Sequence, residues 1–408
     1  MTEEPSGAAP DEGGTEEWRR PVRLVIITSM LAKVADWQLG IVVPLAILDQ
    51  TGSAAAALTA LALRGAAYVG APIVGSMIDR YDKRRVFVLA QLQQAVCIGL
   101  LCLTLSNSVA VSILLFLAGF GAVASSINGS FVLIPSLVQG PARDDAVARL
   151  SSAIELSKVA GLILGGIFFS SQGPIVACVV VTALYALAGV SAALLPAIPS
   201  IHDPSSLAQG LKVGFTWLVR PGILWLVVTM SIANLAVGEL ETVLITIFGR
   251  EHVDATAISV ILAAGLLVGA AASRFAGRVL PHLPVEKRVL VFQTMCFLSL
   301  CIVTLPGVYF KIAGYLAISL SFAFSNVASI LYRQDVIPIE FAGRINAVIR
   351  MFITGSISLS GFIFAFSSRW DGYLFWVPAM VLSTVSVLIW TWFTLSRSED
   401  RSQAGSLE

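Results

Sequence analysis

The sequence predicts an all-α integral membrane protein, with about twelve transmembrane helices in two pseudo-symmetric six-helix halves. Three observations carry this. Hydrophobic residues make up 57% of the 408 positions and charged residues only 12%, with a mean hydropathy of +0.86, whereas soluble domains carry roughly a quarter charged residues. Apolar runs approaching the roughly twenty residues that a bilayer-spanning helix needs recur along the whole chain. Lysine and arginine collect in alternate connections between those runs, as the positive-inside rule requires of a multi-pass chain.

The first twenty residues, rich in Glu, Gly and Pro, lack the basic-then-apolar order of a signal peptide and read as a disordered tail. The N-terminal half is expected over 21–196, with runs near 22–48, 54–78, 86–105, 109–137, 153–170 and 175–195. A polar interruption at 197–221 mixes apolar and polar residues at helical spacing. It reads as a linker with an amphipathic helix lying on the inner membrane surface. The C-terminal half is expected over 222–395, with runs near 223–248, 257–277, 289–306, 312–332, 347–367 and 373–395, and 396–408 reads as a second tail.

With the N-terminus inside, the inner segments hold Arg19, Arg20, Arg23, Arg80, Lys83, Arg84, Arg85 and most other cations. The outer loops hold only Arg250, Lys311 and Arg369. Both termini are therefore expected in the cytoplasm of a cell carrying this protein in its plasma or inner membrane. A shift of 195 residues lays Arg149, Glu155 and Gly165-Gly166 over Arg344, Arg350 and Ser360-Gly361, an internal repeat that pairs the fifth span with the eleventh.

Net charge is +1 and the basic residues sit in separated loops, which argues against a nucleic-acid partner. The five cysteines fall inside apolar runs and the three histidines in distant loops, so neither type offers a disulfide framework or a metal site. No phosphate-cradling Gly-x-x-x-x-Gly-Lys-Ser/Thr motif is present, which excludes that class of ATP-driven pump. Nothing points to an enzyme or to a bound cofactor.

The stretch Gly75-Ser-Met-Ile-Asp79-Arg80-Tyr-Asp82-Lys83-Arg84-Arg85 joins the second and third runs. Read alone, it is an ordinary basic inner loop with a glycine that admits a close helix. Its order resembles the loop signature of the major facilitator superfamily, Gly-x-x-x-Asp-Arg-x-Gly-Arg-Arg, with Asp82 where most members have Gly. This variant is similar to the branch containing the enterobactin exporter and macrolide efflux proteins. So are Ala35-Asp36 with Pro44 in the first run, and Gln334-x-x-Ile-Pro338-x-Glu340-x-x-Gly343-Arg344 before the eleventh. The chain departs from that branch at Asn128-Gly129-Ser130, where Pro-Ala-Arg is usual, and at Gly161-Leu162, where antiporters carry Gly-Pro. The resemblance implies a proton-driven secondary transporter working by alternating access. Its expected partners are a small-molecule substrate and the lipid bilayer, and it is expected to act as a monomer. Efflux of a siderophore, macrolide or peptide-like metabolite is the first reading. Uptake, or a non-transporting receptor on the same fold, are the alternatives.

Ionisable residues inside spans are costly and each needs a reason. Lys33 and Asp36 lie one helical turn apart, and Arg64 on the next span can reach Asp36. This is either a structural ion pair or a switchable coupling site. Glu239 and Glu241 follow Gly238 in the seventh run; two apart on a helix they point to different faces, so one is expected to face a cavity. Either water reaches them at an outer mouth, or a helix break at Gly238 makes them a proton or cation site. Asp79 against the start of the eleventh helix, and Glu155 against the eighth, with Arg344 and Arg350, read as an inner gate or as plain interfacial charges. Trp37, Gln94, Asn128, Phe131, Asn234 and Asn326 are candidates to line a central cavity.

Overall fold

The protein is described by a computed structural model over residues 19–138, 141–199, 212, 215–337 and 342–405. Nine helices are long and apolar enough to cross a membrane, and Ala54–Gly70 and Met351–Ser367 are shorter apolar helices. One of the nine supplies two crossings, which brings the described residues to the expected twelve. Such a chain satisfies its backbone polar groups within each helix, as a lipid environment demands.

The first span is Arg19–Thr51. The second is compound: Ala54–Ala66, a 3-10 stretch Ala67–Gly70, then Ala71–Arg80 with proline in its first turn. Asp82 caps the third, Lys83–Leu103, by accepting from the Arg85 amide. The fourth runs from Ser108–Ile127 through a π-helical stretch Asn128–Val132 into Leu133–Leu137. That widened turn falls on Asn128-Gly129-Ser130, where the sequence departs from the expected motif.

The fifth and sixth spans lie within Pro141–Ala193, broken where Gly173 takes φ 80° ahead of Pro174. Only glycine adopts that backbone without strain. The chain reverses there. Gly161 packs on Val34 and Gly165 on Gln38 and Ile41, while beyond the turn Ala177 accepts from Gln38 and Ser191 from Thr28. The fifth span begins a dozen residues earlier than its hydropathy suggests, because the polar stretch from Pro141 is helical and continuous with it.

The seventh span is two helices, Pro221–Val237 and Leu240–Arg250, and the eighth is Ala255–Phe275. Val285–Thr304, Val308–Val336 and Ala342–Ser367 follow as ninth to eleventh. The twelfth joins a 3-10 turn Gly372–Trp376 to Val377–Gly405. Most of the linker expected to hold an amphipathic helix lies outside the described residues. Its end is described: the Arg220 guanidinium stacks 3.3 Å above the Trp217 ring, and Phe215 meets Phe352 edge-on.

How the buried side chains group decides the shape of the bundle. On the face away from the 80–85 loop a single cluster joins Leu39, Val43, Ile47 and Leu58 of the first six spans to Val243, Phe248, Ile258 and Phe364 of the last six. Towards the basic face the core divides into separate clusters. Those around Val25–Phe87 and Val74–Ala90 belong wholly to the first six spans; those around Leu226–Phe292 and Ile223–Ile349 belong wholly to the last six. The two sets are therefore packed together at one face and parted at the other.

Candidate transport cavity

A cavity of about 240 Å³ lies where the two sets begin to part, lined from the first six spans by Lys33, Asp36, Trp37, Arg64 and Tyr68 and from the last six by Glu239, Glu241 and Thr242. Leu61, Leu162, Ile245 and Leu262 supply its apolar surface.

Asp36 is the hub of one wall. Its carboxylate accepts from Lys33 Nζ at 2.9 Å, from Arg64 at 2.5 Å and from the Tyr185 hydroxyl at 2.6 Å, while Arg64 also donates to Tyr185 at 3.1 Å. Two cations thus share one carboxylate, and the cluster carries one excess positive charge. Arg64 Nε is buried without a hydrogen-bond partner. The arginine sits in the last turn of its helix, beside the C-terminal carbonyls that favour a cation. Lys158 lies 5.9 Å from the Trp37 ring centroid on the same side.

The facing wall is built differently. The seventh span breaks at Gly238-Glu239, where Glu239 has φ −105° and ψ 24°. A side chain on Gly238 would collide with the backbone of Ile357, so its absence lets the eleventh helix close in at the break. Ser360 Oγ accepts the freed Glu239 amide at 3.3 Å. The Glu239 carboxylate accepts from Thr242 at 2.6 Å, and Glu241 from the Tyr315 hydroxyl at 3.1 Å. Tyr315 is equally close to the Leu262 carbonyl, and its single proton serves one acceptor at a time. Among the described residues no cation comes within ion-pair distance of either glutamate, although Arg64 acts across the cavity on Glu239 and Lys158 on Glu241. The expectation that only one would face the cavity is corrected: both do, because the break rotates the helix beyond it.

Of the aromatic and amide candidates, Trp37 alone lines this cavity. Gln94 is buried and donates to Ala90 of its own helix, Asn128 donates to the Lys83 carbonyl at 2.7 Å, and Asn234 to the Ile353 carbonyl at 2.6 Å. Asn128 and Asn234 thereby bind helices together, Gln94 bonds within its own helix, and all three are buried. Asn326 is half-buried in the tenth span, outside the cavity lining. The Phe131 side chain lies outside the described residues.

The loop motif acts within its own set of helices. Asp82 accepts from the Ile198 amide at 3.1 Å, Lys83 donates to Ser136 at 3.0 Å, and Arg84 donates to the Ala193 carbonyl at 2.5 Å. Asp82 and Arg84 thus tie the loop to the end of the sixth span and the residues after it, and Lys83 ties it to the end of the fourth. Among the described residues Gly75 meets no neighbour close enough for a side chain to touch, so none of them supplies the close helix expected there in this conformation, and Arg80 is exposed. Glu155 pairs with Lys158 on its own helix at 2.7 Å, and its expected contact with the eighth span is not made in this conformation. The side chains of Asp79, Arg344 and Arg350 lie outside the described residues.

The closed face is sealed by small residues. A side chain on Gly166 would strike Ser259 and the Ala255 carbonyl, and one on Gly65 would strike Ser358. The Thr256 amide and hydroxyl each lie 3.2 Å from Ser170 Oγ. Sequence reasoning missed Tyr185 and Tyr315, although a tyrosine inside an apolar span needs a partner for its hydroxyl. No group of three or more His, Cys, Asp or Glu suited to a metal occurs among the described residues.

A twelve-crossing bundle with a charged central cavity, sealed at one face and parted at the other, is the architecture of a membrane transporter. The family model described as Major Facilitator Superfamily matches residues 25–361, and the chain belongs to that superfamily. No curated protein matches it by sequence. Its fold is similar to the crystal structure of nucleoside transporter NupG, with a TM-score of 0.73 at 13% identity over 92% of this chain and 98% of that one. A bacterial homologue of the iron transporter ferroportin in an inward-facing state is similar with a TM-score of 0.72 at 16% identity, covering 92% and 98%. A bacterial metal transporter gives 0.67 at 16% identity, covering 93% and 100%.

Proposed function

We propose that the protein is a proton-coupled secondary transporter of the plasma or inner membrane, exporting an amphipathic metabolite by alternating access. The observation that carries this reading is the contrast within one cavity. Asp36 is neutralised by two cations, whereas Glu239 and Glu241 accept only from hydroxyls. A carboxylate without a direct ion pair, held where water enters from one side at a time, exchanges its proton with that side. With the basic face in the cytoplasm, the conformation described is open inward, and closure would bring Asp79 and Glu155 towards Arg344, Arg350 and the eighth span.

The loop variant Asp79-Arg80-Tyr81-Asp82-Lys83-Arg84-Arg85 supports the exporter branch. The cavity, below the roughly 300–1,000 Å³ of drug-sized sites, favours the smaller of the expected cargoes over a macrolide. Proteoliposomes with an imposed pH gradient test the reading, using a panel of siderophores, macrolides and short peptides as cargo. Gradient-driven movement that is lost in Glu239→Gln or Glu241→Gln is expected. Movement indifferent to the gradient in every variant would overturn proton coupling.

A further inference from the structure

The two walls of the cavity carry opposite charge. On the side of the first and second spans Lys33 and Arg64 share the single carboxylate of Asp36, and Arg64 Nε remains a buried donor without an acceptor. On the side of the seventh span Glu239 and Glu241 have hydroxyl donors and, among the described residues, no ion pair; Arg64 and Lys158 reach them only across the cavity. Between them lie Trp37, Leu61, Leu162, Ile245 and Leu262.

Closing such a cavity around its contents removes water from both walls. An unpaired charge taken out of water is costly, and a buried donor left without a partner adds to that cost. A ligand with one charge satisfies one wall and leaves the other exposed to that cost. A ligand carrying an oxyanion and an ammonium group satisfies both at once.

We propose that the cargo is a small zwitterion of the amino-acid or dipeptide class. Its carboxylate is received by Arg64 and Lys33, its ammonium by Glu239 and Glu241, and its side chain by the apolar strip beside Trp37. This rests on the transport reading above and narrows its substrate. A site built around paired polar groups rejects an analogue lacking one of them by large factors, because its own groups are then left unpaired.

The full chain in detergent is titrated with a panel of amino acids and dipeptides, with each dipeptide's C-terminal amide and N-acetyl derivative in parallel, and thermal stabilisation is read as binding. At least one zwitterion is expected to bind, with both derivatives weaker by about 100-fold or more. Glu239→Gln and Glu241→Gln should narrow the gap between the zwitterion and its N-acetyl form without changing the gap to the amide. Lys33→Gln should do the reverse, and Arg64→Gln repeats that arm; each leaves Asp36 with one cation and no isolated buried charge. Amides binding as well as the parent dipeptides, or no panel member binding at all, would overturn the proposal. Alternation is read separately, from whether the disulfide yield of a Ser170→Cys/Thr256→Cys variant changes with an imposed pH gradient. A change there without zwitterion binding sinks the substrate class alone; no change sinks the transport reading as well.

Discussion

Arg64 donates to both Asp36, at 2.5 Å, and Tyr185, at 3.1 Å, so one guanidinium joins the first, second and sixth spans at the edge of the cavity. Tyr185 in turn donates to Asp36 at 2.6 Å, closing a three-membered ring of hydrogen bonds. The ring makes the charge cluster both a packing element and a wall of the site.

Removing Asp36 alone from that ring should cost more than removing it together with Arg64. Asp36→Asn leaves Lys33 and Arg64 without a counter-ion and is expected to destabilise the first six spans by about 3–5 kcal/mol. Asp36→Asn/Arg64→Gln leaves Lys33 as the one unpaired cation and should recover part of that loss. Thermal unfolding of Asp36→Asn, Arg64→Gln and the double variant in detergent, compared as a double-mutant cycle, measures the coupling. Additive effects would show that the two residues do not act as a pair.

The seal at the closed face rests on glycines that another residue cannot replace. Gly166→Leu drives a side chain into Ser259 and the Ala255 carbonyl, and should wedge the fifth span from the eighth. The expected outcome is a longer spectroscopic distance between labels at the outer ends of those spans. Gly75→Leu, where a side chain meets open space, should leave that distance unchanged.

Asp82 stands where most of the superfamily has glycine, and it makes two bonds that glycine cannot. It caps the third span through the Arg85 amide at 2.9 Å and holds the Ile198 amide at 3.1 Å. Asp82→Ala should cost about 1 kcal/mol through the cap and release the segment after the sixth span. Limited proteolysis between residues 196 and 200 should accelerate, and Asp82→Gly should show the same acceleration with a smaller loss of thermal stability.

Asp254 caps the eighth span at the closed face, accepting from the Thr256 and Ala257 amides. The Ser170 hydroxyl, with those amides, holds its carboxyl below the ordinary carboxylate range. A lowered pKa means the cap's contribution is complete above the unfolded value, about 3.9, and disappears as pH falls through the lower folded value. Hydrogen exchange at 254–260 should lose protection on acidification in the native chain more than in Asp254→Asn, which keeps an acceptor and no charge. Equal loss in both would remove Asp254 as the cause.

The bundle was legible in the sequence because twelve apolar runs and a lopsided distribution of arginine are one-dimensional signals. The Lys33–Asp36–Arg64 cluster was legible too, since charges in an apolar span can be satisfied only by one another. Two things were not. The break at Gly238 was one of two readings the sequence offered, but not what holds it: the eleventh helix closing against Gly238, a contact between residues more than a hundred positions apart. The amides Gln94, Asn128 and Asn234 looked like cavity linings because a polar residue in a membrane span needs a partner. Their partners are backbone carbonyls of neighbouring turns and helices, which no side-chain pattern reports.

The reversal at Gly173 leaves almost no chain between the fifth and sixth spans. A connection this short inserts into the bilayer as a single hairpin, the second arm following the first without an independent topogenic decision. It also offers no room for an epitope or protease site at the closed face. Any rocking that opens the closed face must carry both arms together, so a reporter placed on the sixth span tracks the motion of the fifth.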